Sequence, residues 1–550
     1  MDSAPWRPFP LLYRIVILCI LSSALLLTAA PWQWHVSKYI TQEPRPSKRL
    51  GPGGPPPAAS ETNLTDLTEW LIGSCGAQPA LRELYLDAGG GVRGLYSRRA
   101  LVRGEIIAVL PRACELSADV ALRGSSFGRL PPDVTASMNR DYVAMAVFML
   151  ASRGGRFEPY YRNLPRSFGN FPRFWPARAL ALAQGSALLE VAQAELAEWR
   201  GWYETLREKL PELRSSSLQE FYQTMTLVQS RVFSIAEANG DDSDSADYSP
   251  RLLPLMELRN HNDRASGRTT TLRWSGASRE WVLTASADIT AEIQLWDDYG
   301  KYWARRADDI LSIFGFSTDC DALGTLCDYA PAVQLHENMG QEMARRGIDR
   351  AVLPRPPGEA GHSRTRFKPR SFLVTYNPWS DAGTLANLLR ALRVVFVPAG
   401  PTRDRIDAAI RDEGNEDDDE DDEDDANTPG PWKAQAISRD NEASVMSELG
   451  RLSEAALKRY RWTEAAVGAR LADEKQGSPE YNALRLVLGE QRVLRFWANI
   501  AAAAVPLLRT QVQNFSQDGA FAAAAASGPP KARGGLAEYM LGLQRLNIRW

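Results

Sequence analysis

The segments that decide the fold are VQSRVF at residues 228–233 and PLMELRNH at residues 254–261. The second segment ends in Asn260 and His261, a pair that can hold the polar head of a ligand through an amide, an imidazole and backbone groups. Taken alone, His261 is better explained as a histidine buried in the core. The role of the pair therefore depends on the segments before and after it.

A glycine-rich segment precedes the pair. Residues 89–97 read GGGVRGLYS, and residues 103–107 read RGEII. Glycines allow a ligand to approach the backbone closely, which suits a cofactor held by main-chain groups. The phosphate-loop pattern GxxxxGK[ST] is absent, so a nucleotide phosphate loop is not expected. By itself this segment indicates only a hairpin turn.

Three further segments follow the pair: ITAE at 289–292, WDDYG at 296–300 and IFGF at 313–316. Taken alone, a tyrosine beside a glycine after a strand is typical of a packed turn. The order of the segments carries more information, because a glycine hairpin, a helical stretch, SRxF, NH, YG and xGF follow one another along the chain.

This order resembles the SET-domain protein methyltransferases, in particular the branch of Rubisco large-subunit lysine methyltransferase. The helical insert adds EPYYRNLP at 158–165 and FW at 174–175, which are similar to the pYxxxLP and Trp of that branch. The resemblance covers residues 65–317 and continues weakly to GEQRVL at 489–494. It implies an α+β fold: a SET domain of short β-sheets with a helical insert and a pseudo-knot, followed by a mostly α-helical C-terminal domain.

The resemblance also implies methyl transfer from S-adenosyl-L-methionine to a protein side chain, most often lysine, without a metal. Carried onto matching positions, the site divides into three groups. Backbone and polar cofactor contacts fall on Arg93, Gly94, Leu95, Asn260 and His261. The acceptor channel falls on Ser230, Arg231, Glu257 and Phe314, and the catalytic hydroxyl on Tyr299.

Methyl transfer to lysine requires a neutral amine. Because the pKa of a free lysine is about 10.4, deprotonating its ammonium group at pH 7 costs roughly 4.6 kcal/mol. An apolar channel and a nearby positive charge reduce this cost because both disfavour the ammonium form. The site must otherwise supply alignment, so no carboxylate dyad is needed.

Several positions depart from the family pattern. The usual Gly-Glu is Glu292-Ile293, the usual apolar-Ser is Asp297-Asp298, and Phe314 replaces a tyrosine. These departures keep open a catalytically inactive SET-fold protein that binds or scaffolds. An unrelated α+β hydrolase is disfavoured because no GxSxG and no paired carboxylate motif is present.

Composition narrows the functional classes. Of the 550 residues, 44% are hydrophobic, and the chain contains 64 basic and 67 acidic residues. Twelve of the acids lie in residues 412–425, so the rest of the chain is mildly basic. No stripe of basic and aromatic residues predicts nucleic-acid binding. We expect a monomer with a protein substrate.

The chain contains five cysteines (19, 75, 114, 320 and 327) and four histidines. Neither CxxC nor HExxH occurs, so a zinc site is not expected. We expect separate buried thiols, with a Cys320–Cys327 disulfide as the alternative in an oxidising compartment.

The N-terminus contains an unbroken apolar run at residues 15–30, preceded by Arg7 and Arg14. It predicts a cleaved signal peptide or a membrane anchor, and thus the secretory pathway or a membrane, with a further organelle as an alternative. The predicted organisation has four parts: the signal (1–35), a Pro/Gly-rich linker (36–63), the SET domain (64–317, insert about 130–228) and a helical substrate-binding-like domain (318–550, disordered acidic loop 412–430).

Local patterns predict the elements themselves. Apolar spacing predicts helices over 67–75, 142–151, 177–208 and 217–230. Alternation between turns predicts strands over 84–86, 92–97, 105–110, 269–274 and 280–285.

Overall fold

The computed structural model describes residues 62–87, 93–234, 249–262, 268–299, 306–318, 329–346, 371–376, 385–400, 403–404, 437–510 and 518–528. All of them lie in one compact unit, Ala59–Trp550. The predicted signal segment, the linker up to residue 61, the acidic loop and Cys320–Cys327 lie outside the described residues, and their interpretations stay predictions.

The first part of the chain alternates short strands with turns and then becomes helical. Its elements are α1 (Thr62–Cys75), β1 (Leu84–Asp87), β2 (Gly94–Ser97), β3 (Ile106–Pro111), β4 (Leu116–Ser117), α2 (Ala118–Gly124), α3 (Pro132–Thr135), α4 (Arg140–Ala151), α5 (Glu158–Tyr161), α6 (Ala177–Leu182), α7 (Ala187–Lys209) and α8 (Leu218–Arg231).

Strands return after α8, and helices dominate the remainder. These elements are β5 (Arg251–Leu252), β6 (Asn260–His261), β7 (Thr270–Ser275), β8 (Glu280–Ala285), β9 (Trp296–Asp297), α9 (Ala307–Phe314), β10 (Ala332–Gln334), α10 (Glu337–Arg345), β11 (Ser371–Leu373), α11 (Leu385–Val395), α12 (Arg439–Leu457), α13 (Glu464–Asp473), α14 (Pro479–Arg509) and α15 (Gly519–Ala526).

The sheets are small. β1 pairs with β2, β4 with β5 and β10 with β11, all antiparallel, and the largest described sheet has the order β3-β8-β7. β6 and β9 form a short parallel ladder. The expected α+β architecture of short sheets, a helical insert and a helical C-terminal region is confirmed.

Most predicted elements are confirmed within a few residues, and β8 agrees at both ends. The predicted helix over 177–208 is wrong as a single helix, because it divides into α6 and α7. Gly185 has a left-handed φ of +102°, and the Ser186 hydroxyl accepts from the Leu188 N–H as the cap of α7. Both features end one helix and begin another.

Two apolar cores organise the described residues. The first packs α1, the early strands, α4 and α8 around buried side chains such as Leu67, Val143 and Trp281. The second packs α11, α12 and α14 around residues such as Trp497. The insert contributes to both, because Trp175 and Ala179 of the segment around α6 lie in the second core.

Cys75 and Cys114 form a disulfide, so the expectation of separate thiols is wrong for these two. Cys75 ends α1, and Cys114 ends the 3₁₀ turn after β3. Their Cα atoms lie 5.7 Å apart, which is an ordinary separation for a bridged pair. The long loop between them is why the sequence pattern did not reveal the pairing.

Within the described ranges, none of the helices combines the length and apolarity needed to cross a bilayer. The apolar run at residues 15–30 lies outside those ranges.

Candidate cofactor and acceptor site

The parallel ladder of β6 and β9 forms the base of the site. Asn260 is opposite Trp296, and His261 is opposite Asp297. The chain enters β6 through a tight turn in which Leu255, a non-glycine residue, has φ of 75°. Such a conformation costs free energy and persists only where the surrounding structure holds it. The ladder places the NH segment beside the segment that leads into Tyr299.

The glycine segment meets the Asn-His segment directly. The Asn260 Nδ2 donates to the Arg93 carbonyl at 3.0 Å, and the Leu95 carbonyl accepts from the Leu295 N–H at 2.7 Å. A Cβ added at Gly94 would collide with the side-chain amide of Gln294. Gly94 thus packs closely against Gln294 at the point where the predicted cofactor contacts converge, and a larger residue there would displace the Gln294 amide. The glycines at 89–91 lie outside the described residues.

His261 and Tyr299 belong to one aromatic cluster. The Tyr299 N–H donates to His261 Nδ1 at 3.0 Å, which leaves the ring proton of His261 on Nε2. The ring centroids of Tyr299 and Phe314 lie 4.5 Å apart, and those of His261 and Phe316 lie 5.9 Å apart. Three aromatic rings, those of His261, Phe314 and Phe316, thus pack around the ring of Tyr299.

The Tyr299 hydroxyl is held by a main-chain acceptor. It donates to the Arg259 carbonyl at 2.6 Å. Burial raises the pKa of Tyr299 to about 12, so the hydroxyl keeps its proton at neutral pH. Its oxygen remains able to accept a hydrogen bond from another group.

The predicted acceptor-channel residues form a second, charged cluster. The Tyr160 hydroxyl donates to Glu257 Oε2 at 2.6 Å, and Arg231 Nη1 donates to the Glu257 carbonyl at 3.2 Å. Arg231 also lies 3.6 Å from Glu257 Oε1. Burial raises the pKa of Glu257. Ser230 donates to the Leu227 carbonyl within α8.

The two clusters are neighbours. The charges of Arg231 and Glu257 both act on the Tyr299 hydroxyl, and the same two charges act on the guanidinium of Arg93. Arg93 also donates to the Asn163 carbonyl in the helical insert. The structure therefore brings the cofactor, channel and hydroxyl residues predicted from the sequence into one region.

Sequence reasoning missed two residues of this region. Tyr160 was part of the quoted EPYYRNLP segment but was not given a role, and its bond to Glu257 is a long-range contact. Gln294 is 8% exposed, and its Nε2 has no hydrogen-bond partner within the part of the chain that the structure describes. Its position just before β9 carried no sequence signal. Glu292, which stands where the family pattern has glycine, has a left-handed φ of 63°, a conformation that glycine adopts without strain.

Known structures were compared with this fold. The SET domain of LSMT bound to lysine and AdoHcy superposes with a TM-score of 0.61 at 16% identity, covering 88% of this chain and 99% of that chain. The chain has the fold of Rubisco LSMT. Rubisco LSMT bound to AdoMet gives a TM-score of 0.59 at 17% identity over 87% of this chain and 99% of that chain. Rubisco LSMT bound to sinefungin and monomethyllysine gives a TM-score of 0.57 at 18% identity, covering 82% of this chain and 93% of that chain.

The C-terminal part of the chain also resembles Rubisco LSMT in sequence. The family model of the Rubisco LSMT substrate-binding domain matches residues 364–494. No curated protein matches the chain. The resemblance to a SET-domain protein of the Rubisco LSMT type is thus confirmed for the fold.

Proposed function

We propose that this chain is an AdoMet-dependent methyltransferase that modifies a lysine of a protein substrate. The observation that carries the proposal is the pair of contacts Asn260–Arg93 and His261–Tyr299, which join the glycine segment, the Asn-His turn and the aromatic hydroxyl. The same fold holds AdoMet or AdoHcy, and lysine, in Rubisco LSMT. The match at 364–494 supports a protein substrate.

The residues present fit a cofactor with a charged amino-acid end. The buried Gln294 Nε2 lies against Gly94 and is a donor with no hydrogen-bond partner among the described residues. Asn260 and the backbone at 93–95 would hold the cofactor there, with His261 at the edge of the aromatic cluster. AdoMet, when bound, supplies a methyl group on a positively charged sulfonium.

The chain's own residues prepare the acceptor amine. The Tyr299 hydroxyl donates a hydrogen bond to the Arg259 carbonyl, so its oxygen is available to accept a hydrogen bond from the amine and orient the lone pair. The rings of His261, Phe314 and Phe316 exclude water around that oxygen. Burial at this position disfavours an ammonium group, which lowers the cost of a neutral lysine.

We further propose that the protein matures in an oxidising compartment. The Cys75–Cys114 disulfide supports this placement, because such bonds persist in secretory compartments and are rare in the cytosol. It agrees with the predicted signal or anchor at the N-terminus.

Two variants test the function. We expect Tyr299→Phe to reduce methyl transfer to a protein extract by about a hundredfold or more while AdoMet binding, measured by calorimetry, persists. Asn260→Ala should instead weaken AdoMet binding. The control is Tyr203→Phe, which removes another buried tyrosine bond, to the Ser216 carbonyl at 2.5 Å, away from the site.

The outcome separates the two functional hypotheses. Tight AdoMet binding by the wild-type protein without transfer to any extract would favour the inactive, scaffolding alternative. Equal turnover of the wild-type protein and Tyr299→Phe would refute the assigned hydroxyl.

A further inference from the structure

A buried ion pair lies directly beneath the Tyr299 hydroxyl. Arg259 Nη2 and Asp297 Oδ2 are 2.8 Å apart, and both side chains are almost fully buried. Arg259 makes two further bonds: Nε donates to the Met256 carbonyl and Nη1 donates to Thr270 Oγ1, each at 2.8 Å. A guanidinium placed this way is held in a single orientation.

The pair fastens three strands together. Arg259 immediately precedes β6, Thr270 begins β7, and Asp297 ends β9. The Thr270 hydroxyl in turn donates a hydrogen bond to the Trp296 carbonyl in β9, at 2.8 Å. The main-chain positions around the predicted catalytic centre are thus set by one guanidinium and its acceptors.

Both ends of the Tyr299 hydrogen bond depend on these two residues. The acceptor is the carbonyl of Arg259 itself, at 2.6 Å from the hydroxyl. The donor ring follows Asp297 by two residues, and the Asp298 N–H donates to Asp297 Oδ1 at 2.9 Å. Both charged residues are therefore connected to the hydroxyl through short stretches of main chain.

We propose that Arg259 is a positioning residue for the Tyr299 hydroxyl, with Asp297 as its required counter-ion. The proposal rests on the proposed function, because it concerns the hydroxyl that orients the amine. It explains why a carboxylate stands at 297, where the family pattern has an apolar residue.

Replacing one of the two residues should destabilise the fold, whereas replacing both should restore stability without restoring the position of the hydroxyl. Asp297→Asn leaves the Arg259 charge buried without a counter-ion, which is strongly destabilising. Replacing both by apolar residues of similar volume, Arg259→Met with Asp297→Leu, removes that cost and should restore the melting temperature. The anchors to Met256 and Thr270 are nevertheless lost in the double variant.

The experiment compares the wild-type protein, Asp297→Asn and the double variant. We expect the double variant to melt near the wild-type temperature and to bind AdoMet normally, but to show kcat reduced by about a hundredfold at unchanged KM. The control is Arg251→Met with Glu115→Leu, which removes another buried ion pair, between β5 and the residue before β4. That control should leave kcat unchanged.

A second readout does not require turnover. The ¹³Cζ signal of Tyr299, assigned by its loss in Tyr299→Phe, reports the hydroxyl's hydrogen bond, and it should shift in the double variant and not in the control. Recovery of both kcat and the wild-type signal in the double variant would overturn the proposal. If the wild-type protein transfers no methyl group, the proposed function fails, and the Tyr299 signal alone then decides the positioning role.

Discussion

Glu490→Gln tests the electrostatics of the helical C-terminal region. Glu490 lies within α14, is 1% exposed and is held by two hydroxyls. Ser186 Oγ donates to its Oε1 at 2.8 Å, and the Tyr460 hydroxyl donates to its Oε2 at 3.1 Å. These partners come from the helical insert and from the segment after α12, so the carboxyl connects separate parts of the described chain.

Burial, together with the charge of Asp308, raises the pKa of Glu490 from 4.5 to about 8, although the bonds from Ser186 and Tyr460 and the charge of Arg459 lower it. The folded state therefore binds a proton that the unfolded state has already lost between these two values. The contribution of Glu490 to the free energy of unfolding therefore falls by roughly 5 kcal/mol as pH rises from about 4.5 to about 8. Above that pH it levels off.

Glutamine keeps the shape of Glu490 and carries no charge to bury. We expect Glu490→Gln to match the wild-type protein near pH 5 and to exceed its free energy of unfolding by up to roughly 5 kcal/mol above pH 8. Urea unfolding at pH 5 to 9 measures the difference in free energy of unfolding between the two proteins. The contributions of titrating groups that both proteins share, including Asp308, largely cancel in this difference. Glu454→Gln is the control, because Glu454 lies on the exposed face of α12. A difference that stays constant from pH 5 to pH 9 would refute the reasoning.

Two other predictions concern packing and covalent structure. Gly94→Ala should reduce AdoMet affinity at least about tenfold in calorimetry, because its Cβ would overlap the Gln294 amide. Gly73→Ala, which has open space around its added Cβ in α1, should leave affinity unchanged, and equal effects of the two would contradict the close-packing argument. Reducing the Cys75–Cys114 bond, which spans 39 residues, should lower the free energy of unfolding by about 4 kcal/mol. The Cys75→Ser, Cys114→Ser double variant should not respond to reductant, and a wild-type urea midpoint that ignores reductant would count against the bond.

Local elements were predictable where the signal is local. The strand Glu280–Ala285 follows from alternation beside a turn, and α8 follows from apolar spacing and a Ser217 cap with Glu220 three residues later. The division between α6 and α7 was missed because Gly185 lies within otherwise continuous helical spacing. β6 and β9 have two residues each, which is too short for any periodicity to appear.

The candidate site was predictable only through the order of its motifs. Asn260, His261 and Tyr299 were chosen because their spacing resembles a known family, whereas composition and periodicity gave no reason to join them. Gln294 and Tyr160 could not be chosen in this way, because their relevance depends on the atoms that they contact.

The sequence by itself determined the longer strands and helices, since each depends on residues within a few positions of one another. Only the tertiary structure decided which of them meet. Arg93 and Asn260 are separated by 167 residues yet share a hydrogen bond, and Asp297 finds its counter-ion in Arg259 across a parallel ladder. Such contacts form because burying a polar or charged group is costly until a partner is brought to it, and the partner's place is set by the packing of the whole domain.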